Sequence, residues 1–122
     1  GLGDVYKRQA LKTPEETVHD FKKFLSLVRN EFGNIKVYVI GIKPTLDRLY
    51  LDKEERIFNS LVSSLANDDA YLEYINIWDP MLNQDGSRMP ELFIEDGLHM
   101  NEKGYEVWTK KVRESLGKEF DL

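Results

Sequence analysis

Two short runs of β-branched and aromatic residues, residues 35–41 and 71–78, constrain the fold of this chain more than any other feature. Each run carries a single charged side chain and follows a segment with the apolar spacing of an amphipathic helix. Such runs are typical of buried strands in a parallel sheet. Because a strand–helix–strand order needs a crossover that packs back on the sheet, the sequence predicts an α/β domain with parallel strands.

Three amphipathic helices are predicted around these strands. The first begins at Thr13, with Pro14 in its first turn and Glu16 completing a capping box. A similar signature at Asp52 predicts the start of the second helix, and Asn101 and Gly117 are predicted to cap the two ends of the third. Apolar residues spaced by three and four form the predicted inner faces: Val18, Phe21, Leu25, Val28 and Phe32; Ile57, Phe58, Leu61, Val62 and Leu65; Tyr105, Trp108, Val112 and Leu116.

Two strands are too few for a complete sheet of this kind, which usually has about five. The chain is therefore expected to be the C-terminal part of a three-layer α/β/α sandwich whose N-terminal strands are missing. Residues 1–9 show neither periodicity nor the layout of a signal peptide, and we interpret them as a non-native junction. Residues 10–122 are then part of a single domain. An unpaired sheet edge in such a fragment predicts self-association.

Composition excludes several classes of function. The 122 residues include seventeen basic and twenty-two acidic side chains, a net charge of −5, which argues against a nucleic-acid partner because phosphate binding needs a clustered positive field. No apolar stretch approaches the roughly 18 residues that a membrane span needs. With no cysteine, the chain has neither a thiolate nucleophile nor a cysteine-based zinc site.

The loop between the second predicted strand and the last helix holds His99, one of two histidines. In open α/β sheets the ligand crevice lies at the carboxyl ends of the strands, where this loop begins. Asp96 precedes His99 by three residues, and Gly97 between them permits a tight reversal. Such a turn can bring the carboxylate against Nδ1 of the imidazole and leave Nε2 available as a base. The alternative is a solvated loop histidine beside a helix cap.

The surroundings of this pair carry a family resemblance. Asp96-Gly97-Leu98-His99 is followed by an asparagine and then by Gly-Tyr; it is preceded by Pro-Glu-Leu-Phe at residues 90–93, by Asp-Pro-Met-Leu at residues 79–82 and by Ile-Lys-Pro at residues 42–44. Together these strings resemble the SGNH/GDSL hydrolases, which are serine esterases and acyl-ester hydrolases. The resemblance implies a flavodoxin-like fold, no cofactor, and a small-molecule ester or an acylated carbohydrate or lipid as substrate. It also implies that Asp96 and His99 belong to a Ser-His-Asp triad.

The nucleophile that the resemblance implies is missing from the chain. The family's serine stands in an N-terminal Gly-Asp-Ser block, whereas here Gly3-Asp4 is followed by Val5. The family's oxyanion-hole glycine and Gly-x-Asn-Asp block have no counterpart either. The six serines lie on predicted helices or, for Ser87, after a turn, so none sits on a strand-to-helix elbow. This chain alone is therefore expected to be inactive.

Four further residues are candidates for substrate contacts. Lys43 ends the first strand and Arg48 lies nearby, although a strand-exit turn with solvated bases is the better explanation of both. Trp78 and Phe93 are candidates for the wall of an acyl or sugar pocket, but aromatic residues at the end of a sheet are more often part of the core.

Other functions are also open at this point. Lys43-Pro44 and Asp79-Pro80 each follow a strand, as comparable residues do in phospho-receiver modules, but here the order of the two strands is reversed. A metal site on Glu95, Asp96 and His99 would have few good ligands for a transition metal, so no metal is predicted. An inactive α/β fragment or a binding domain is the remaining alternative.

Overall fold

The computed structural model describes residues 12–120, with side chains to residue 117, so the segment interpreted as a junction lies outside the described residues. The described residues form three long helices and two strands in the predicted order, with three short 3-10 helices between them. In chain order these elements are α1 (Pro14–Phe32), β1 (Val37–Ile40), a 3-10 turn (Leu49–Leu51), α2 (Asp52–Asn67), β2 (Leu72–Ile75), two further 3-10 turns (Asp79–Met81 and Pro90–Leu92) and α3 (Glu102–Phe120). None of the described helices is long and apolar enough to cross a bilayer.

The two strands pair in parallel, from Val37 opposite Leu72 to Ile40 opposite Ile75, which confirms the predicted α/β class. Both are shorter than predicted because side chains take over the backbone hydrogen bonds at their ends. After β1, the Asn59 side chain accepts from the amide of Ile42 at 2.9 Å and donates to its carbonyl at 3.2 Å. The carboxyl ends of both strands thus lie at one edge of the sheet.

Two apolar clusters hold these elements together. Helix α1 packs on α2 and α2 packs on β2, while α3 contacts β2 and the 3-10 turns at Asp79–Met81 and Pro90–Leu92. The larger cluster lies among the first two helices and the sheet, and it consists of Val18, Leu25, Val39, Ile42, Phe58, Val62, Leu72 and Trp78. The smaller one lies beneath the loop before α3 and consists of Met81, Leu92, Phe93 and Met100.

The predicted starts of the first two helices are confirmed, but the predicted capping box is present only at Thr13 and not at Asp52. The Thr13 hydroxyl accepts from the Glu16 amide at 3.1 Å, and the Glu16 carboxylate accepts from the Thr13 amide at 3.3 Å, which completes the capping box. Asp52 is the first residue of α2 and not its cap, and no side chain caps this end of the helix. A 3-10 turn leads directly into α2, so the Asp52 carboxylate is free to bind Arg56 and Arg88.

Three predictions about the helix faces and ends are also wrong. Phe32 is 66% exposed because it is the last residue of α1, beyond the ion pair of Arg29 with Asp69 that ties the helix end to the turn after α2. Tyr105 is 54% exposed because the adjacent Gly104 faces the loop below, which turns the tyrosine outward. Helix α3 does not end at Gly117, since its backbone hydrogen bonding continues to Phe120.

Candidate active site

The candidate site lies at the edge of the sheet where both strands end. The segment after β1 and the loop before α3 meet there, because the amides of Leu46 and Asp47 donate to the carbonyl of Gly97 at 2.8 and 3.1 Å. Gly97 has a φ of +65°, a conformation that side chains disfavour, and a Cβ added to it would lie 3.0 Å from that of Leu46. A glycine between the acid and the histidine therefore lets the loop turn tightly against the neighbouring segment.

The turn brings Asp96 and His99 into direct contact. Asp96 Oδ2 lies 2.5 Å from His99 Nδ1, and Asp96 Oδ1 accepts from the amides of Leu98 and His99, both at 2.9 Å. The carboxylate thus holds the imidazole by its Nδ1 and holds the backbone that carries it. This arrangement orients Nε2 as the nitrogen that can exchange a proton with a substrate group.

The same contacts keep Asp96 ionised. The hydrogen bond from the His99 side chain, reinforced by those from the His99 and Leu98 amides, lowers the pKa of the Asp96 carboxyl from 3.8 to about 2. The carboxylate is therefore charged throughout the neutral pH range. The His99 side chain is 68% exposed and that of Asp96 41%, so a substrate group can reach the pair from solvent.

Asn101 joins this loop to α3. Its side chain donates to the carbonyls of Glu91 at 2.8 Å and Phe93 at 3.3 Å, and it accepts from the amide of Gly104 at 3.0 Å, which caps the helix as predicted. On the other side of the turn, the amide of Ile94 donates to the carbonyl of His99 at 2.9 Å. The loop carrying Asp96 and His99 is thus closed at its base by backbone and side-chain hydrogen bonds.

Replacing Gly104 with alanine is expected to destabilise the chain by about 1–3 kcal/mol, as overpacking does in a tight interior. A Cβ at this position would lie 2.2 Å from the carbonyl oxygen of Leu92 and 2.9 Å from the Cβ of Met100. This clash outweighs the gain of about 1 kcal/mol in helix propensity from glycine to alanine. Urea unfolding measures the effect, with the exposed neighbour Lys103→Ala as a control expected to stay within about 0.5 kcal/mol of wild type. Equal stability of Gly104→Ala and wild type would contradict the close packing of this loop on α3.

The four other candidate residues occupy different surroundings. Trp78 and Phe93 are only 5% and 6% exposed and belong to the two apolar clusters of the core. Lys43 is half-buried just after β1, and Arg48 is half-buried before the 3-10 turn that leads into α2. A role for these four residues in binding substrate stays a prediction.

Neither the serines nor a metal cluster completes the site within the described residues. Ser87 lies in a turn, where its hydroxyl donates to Asp85 at 2.6 Å, and the other five serines lie on helices, as the sequence predicts. Residues 12–120 hold no group of three or more histidine, aspartate or glutamate side chains placed to bind a metal ion.

A buried ionic cluster lies beside this site, and the sequence did not predict it. Arg88 and Glu55 have side chains only 5% and 3% exposed, with Arg88 Nη2 lying 3.3 Å from Glu55 Oε1 and 2.7 Å from Asp52 Oδ1. Burial raises the pKa of Glu55 from 4.5 to about 7 in spite of the Arg88 charge. The sequence gives only a weak signal for this cluster. That signal is the position of Glu55, which falls on the same face of α2 as the buried residues Phe58 and Val62.

Comparison with known proteins identifies relatives over most of the chain. The sequence model of the GDSL-like lipase/acylhydrolase family matches residues 4–107, well over half of the chain. Among curated proteins, the chain is similar to an N-acylneuraminate cytidylyltransferase of Escherichia coli O18:K1:H7 (strain RS218 / NMEC), with 27% identity over 100 residues. That match covers 82% of this chain and 23% of the relative.

Two solved structures share the fold. The esterase domain of the ORF1 protein from the zebrafish ZfL2-1 retrotransposon has a TM-score of 0.74 and 22% identity, covering 91% of this chain and 63% of that one. A structure from Streptococcus pneumonia that carries the name platelet activating factor has a TM-score of 0.71 and 20% identity, covering 84% of this chain and 51% of that one. The chain thus spans less than two thirds of the length of each of these relatives.

Proposed function

The chain belongs to the GDSL-like lipase/acylhydrolase family, and on this basis we propose that it carries the general base and the orienting acid of a serine esterase. The contact between Asp96 Oδ2 and His99 Nδ1, at 2.5 Å, is the observation that carries the proposal. A carboxylate on Nδ1 fixes the imidazole tautomer and stabilises the imidazolium that forms when Nε2 takes up a proton. The esterase domain among the structural relatives supports the same reaction class.

The proposed reaction is the hydrolysis of a carboxylic ester in two steps. His99 Nε2 takes the proton of a serine hydroxyl as the serine oxygen attacks the ester carbonyl, and the imidazolium then protonates the leaving alcohol. In the second step, His99 deprotonates a water molecule that attacks the acyl-serine, which releases the carboxylic acid and restores the serine. Asp96, ionised throughout, stabilises the imidazolium in both steps. Small esters and acylated carbohydrates or lipids are the proposed substrates.

The serine of this reaction is proposed to lie outside the 122 residues. None of the chain's six serines stands in a Gly-Asp-Ser block. Removing triad members lowers the rate by several orders of magnitude, and each oxyanion donor that is missing costs about 10²–10³ more. The chain by itself is therefore expected to have negligible activity although it holds the acid–base pair.

Hydrolysis of p-nitrophenyl acetate by the purified 122-residue chain tests this proposal. The wild-type chain and its His99→Ala variant are expected to give the same rate, that of a protein with no catalytic serine. Turnover by the wild-type chain that disappears in His99→Ala would show that a nucleophile is present in these residues and would overturn the placement of the serine.

A further inference from the structure

The buried ionic cluster beside the site reaches the catalytic loop through one peptide group. Arg88 Nη1 donates to the carbonyl of Thr45, while its Nη2 binds Glu55 and Asp52 on α2. The guanidinium therefore joins the first turn of α2 to the segment that leaves β1. A fixed guanidinium in the interior holds its partners more rigidly than a solvated one, because its planar donors bind at set angles.

The carbonyl that Arg88 holds belongs to the same peptide group as the amide of Leu46. That amide, together with the amide of Asp47, donates to the carbonyl of Gly97, the residue that directly follows Asp96. A hydrogen bond accepted by the carbonyl of a peptide group strengthens the bond that its N–H donates. A continuous chain of hydrogen bonds therefore runs from Glu55 through Arg88 and the Thr45–Leu46 peptide to the turn that holds Asp96.

We propose that Arg88, anchored by Glu55, is a positioning residue that holds the Asp96–His99 pair in its working geometry through the Thr45–Leu46 peptide. The proposal rests on the proposed function only in treating that pair as catalytic. It assigns a role to a buried ion pair that contributes little to stability by itself, since desolvation offsets much of the attraction between such charges.

Arg56 provides a control for the charge because it shares with Arg88 the contacts with Asp52 and Trp78, although its side chain is 48% exposed and that of Arg88 only 5%. Its Nε binds Asp52 at 2.9 Å, and its guanidinium lies 5.1 Å from the Trp78 ring centre, compared with 5.0 Å for Arg88. The hydrogen bond to the Thr45 carbonyl is made by Arg88. An effect that comes only from losing a cation beside Asp52 and Trp78 would therefore appear in variants of either arginine, and the burial of Arg88 is controlled by the double variant described below.

Amide hydrogen exchange of the 122-residue chain, followed by NMR, tests the proposal. In Arg88→Met, the amides of Leu46 and Asp47 and those of Leu98 and His99 are expected to exchange about tenfold faster or more. The amide of Gly41, which donates to Ile75 in the sheet, serves as the internal reference and is expected to keep its protection. In Arg56→Met, all of these amides are expected to exchange as in wild type.

The ¹³C shift of the Asp96 carboxyl at pH 3 gives a second readout. With a pKa of about 2 the wild-type carboxyl is mostly ionised at this pH, and a group freed from its partners, with a pKa near 3.8, is mostly protonated. Arg88→Met is expected to shift Asp96 toward the protonated form, while Arg56→Met leaves it unchanged. The double variant Glu55→Leu/Arg88→Met, which leaves no lone charge in the interior, is expected to behave as Arg88→Met does.

The proposal would be overturned if the folded double variant kept wild-type exchange rates and an ionised Asp96. It would also be overturned if Arg56→Met and Arg88→Met changed the exchange rates and the ionisation of Asp96 equally. If the Gly41 amide loses its protection in Arg88→Met, the single variant has unfolded. The result from the double variant then decides whether the proposal holds. Both readouts report the geometry of the pair and not ester hydrolysis. A failure of the proposed function is therefore seen separately, in the hydrolysis experiments.

Discussion

Replacing Asp96 with asparagine is expected to lower kcat/KM for a short-chain aryl ester by about 10³–10⁴ in a chain extended upstream to include the proposed serine. An asparagine side chain fits the same space, but it brings no negative charge to the imidazolium, and its NH₂ group favours the tautomer with the proton on the wrong nitrogen. The loss corresponds to about 4–5.5 kcal/mol of transition-state stabilisation. Initial rates on p-nitrophenyl acetate measure it.

Glu95→Gln is the matched control for this substitution. It removes the carboxylate next to Asp96 in the sequence, which is also exposed, and it is expected to leave the rate within about twofold of wild type. An equal fall in both variants would indicate a general effect of charge on the loop. Wild-type activity in Asp96→Asn would contradict the role assigned to Asp96.

The second large effect concerns stability and comes from Glu55. Its pKa is about 7 in the folded chain against 4.5 for the ordinary carboxyl, because burial disfavours the charged form more than Arg88 favours it. Between pH 4.5 and 7 the folded state therefore binds more protons at this residue than the unfolded state does. The free energy of unfolding must then fall as the pH rises through this range, by about 3 kcal/mol in total.

Glu55→Gln is expected to remove this pH dependence, because the amide does not titrate. Urea unfolding at pH 5 and pH 8 measures the difference, and Glu54→Gln, the neighbouring carboxylate on α2, is expected to keep the wild-type dependence. The lowered pKa values of Asp52, Asp69 and Asp96 affect stability in more acidic solution, below the range that is compared. Identical pH dependence in wild type and Glu55→Gln would show that Glu55 is already ionised at pH 5.

The sequence predicts local features well because they depend on neighbouring residues. The capping box at Thr13 is an example, and the cap at Asn101 is another. The contact of Asp96 with His99 also arises within four residues, from a glycine that permits a positive φ and a carboxylate that accepts nearby amides. The α/β class follows from the two apolar runs and the amphipathic helices, since these patterns are local as well.

Contacts between distant segments could not be predicted in this way. Arg88 and Glu55 are 33 residues apart, and Arg88 lies in a polar turn segment whose sequence resembles an exposed loop. The ends of the strands depend on side chains such as Asn59, which reaches Ile42 from another element. Asp52 shows the same limit, because its capping signature is overridden by a 3-10 turn and by the nearby arginines.

The most direct test of the account is to locate the nucleophile with a fluorophosphonate probe, which labels activated serines, in a chain extended upstream through its own reading frame. Mass spectrometry is expected to find the label on a serine upstream of Leu11, in a Gly-Asp-Ser block, and the labelling rate is expected to fall at least about 10³-fold in His99→Ala. Labelling of Ser26, Ser60, Ser63, Ser64, Ser87 or Ser115, or labelling that does not depend on His99, would contradict it.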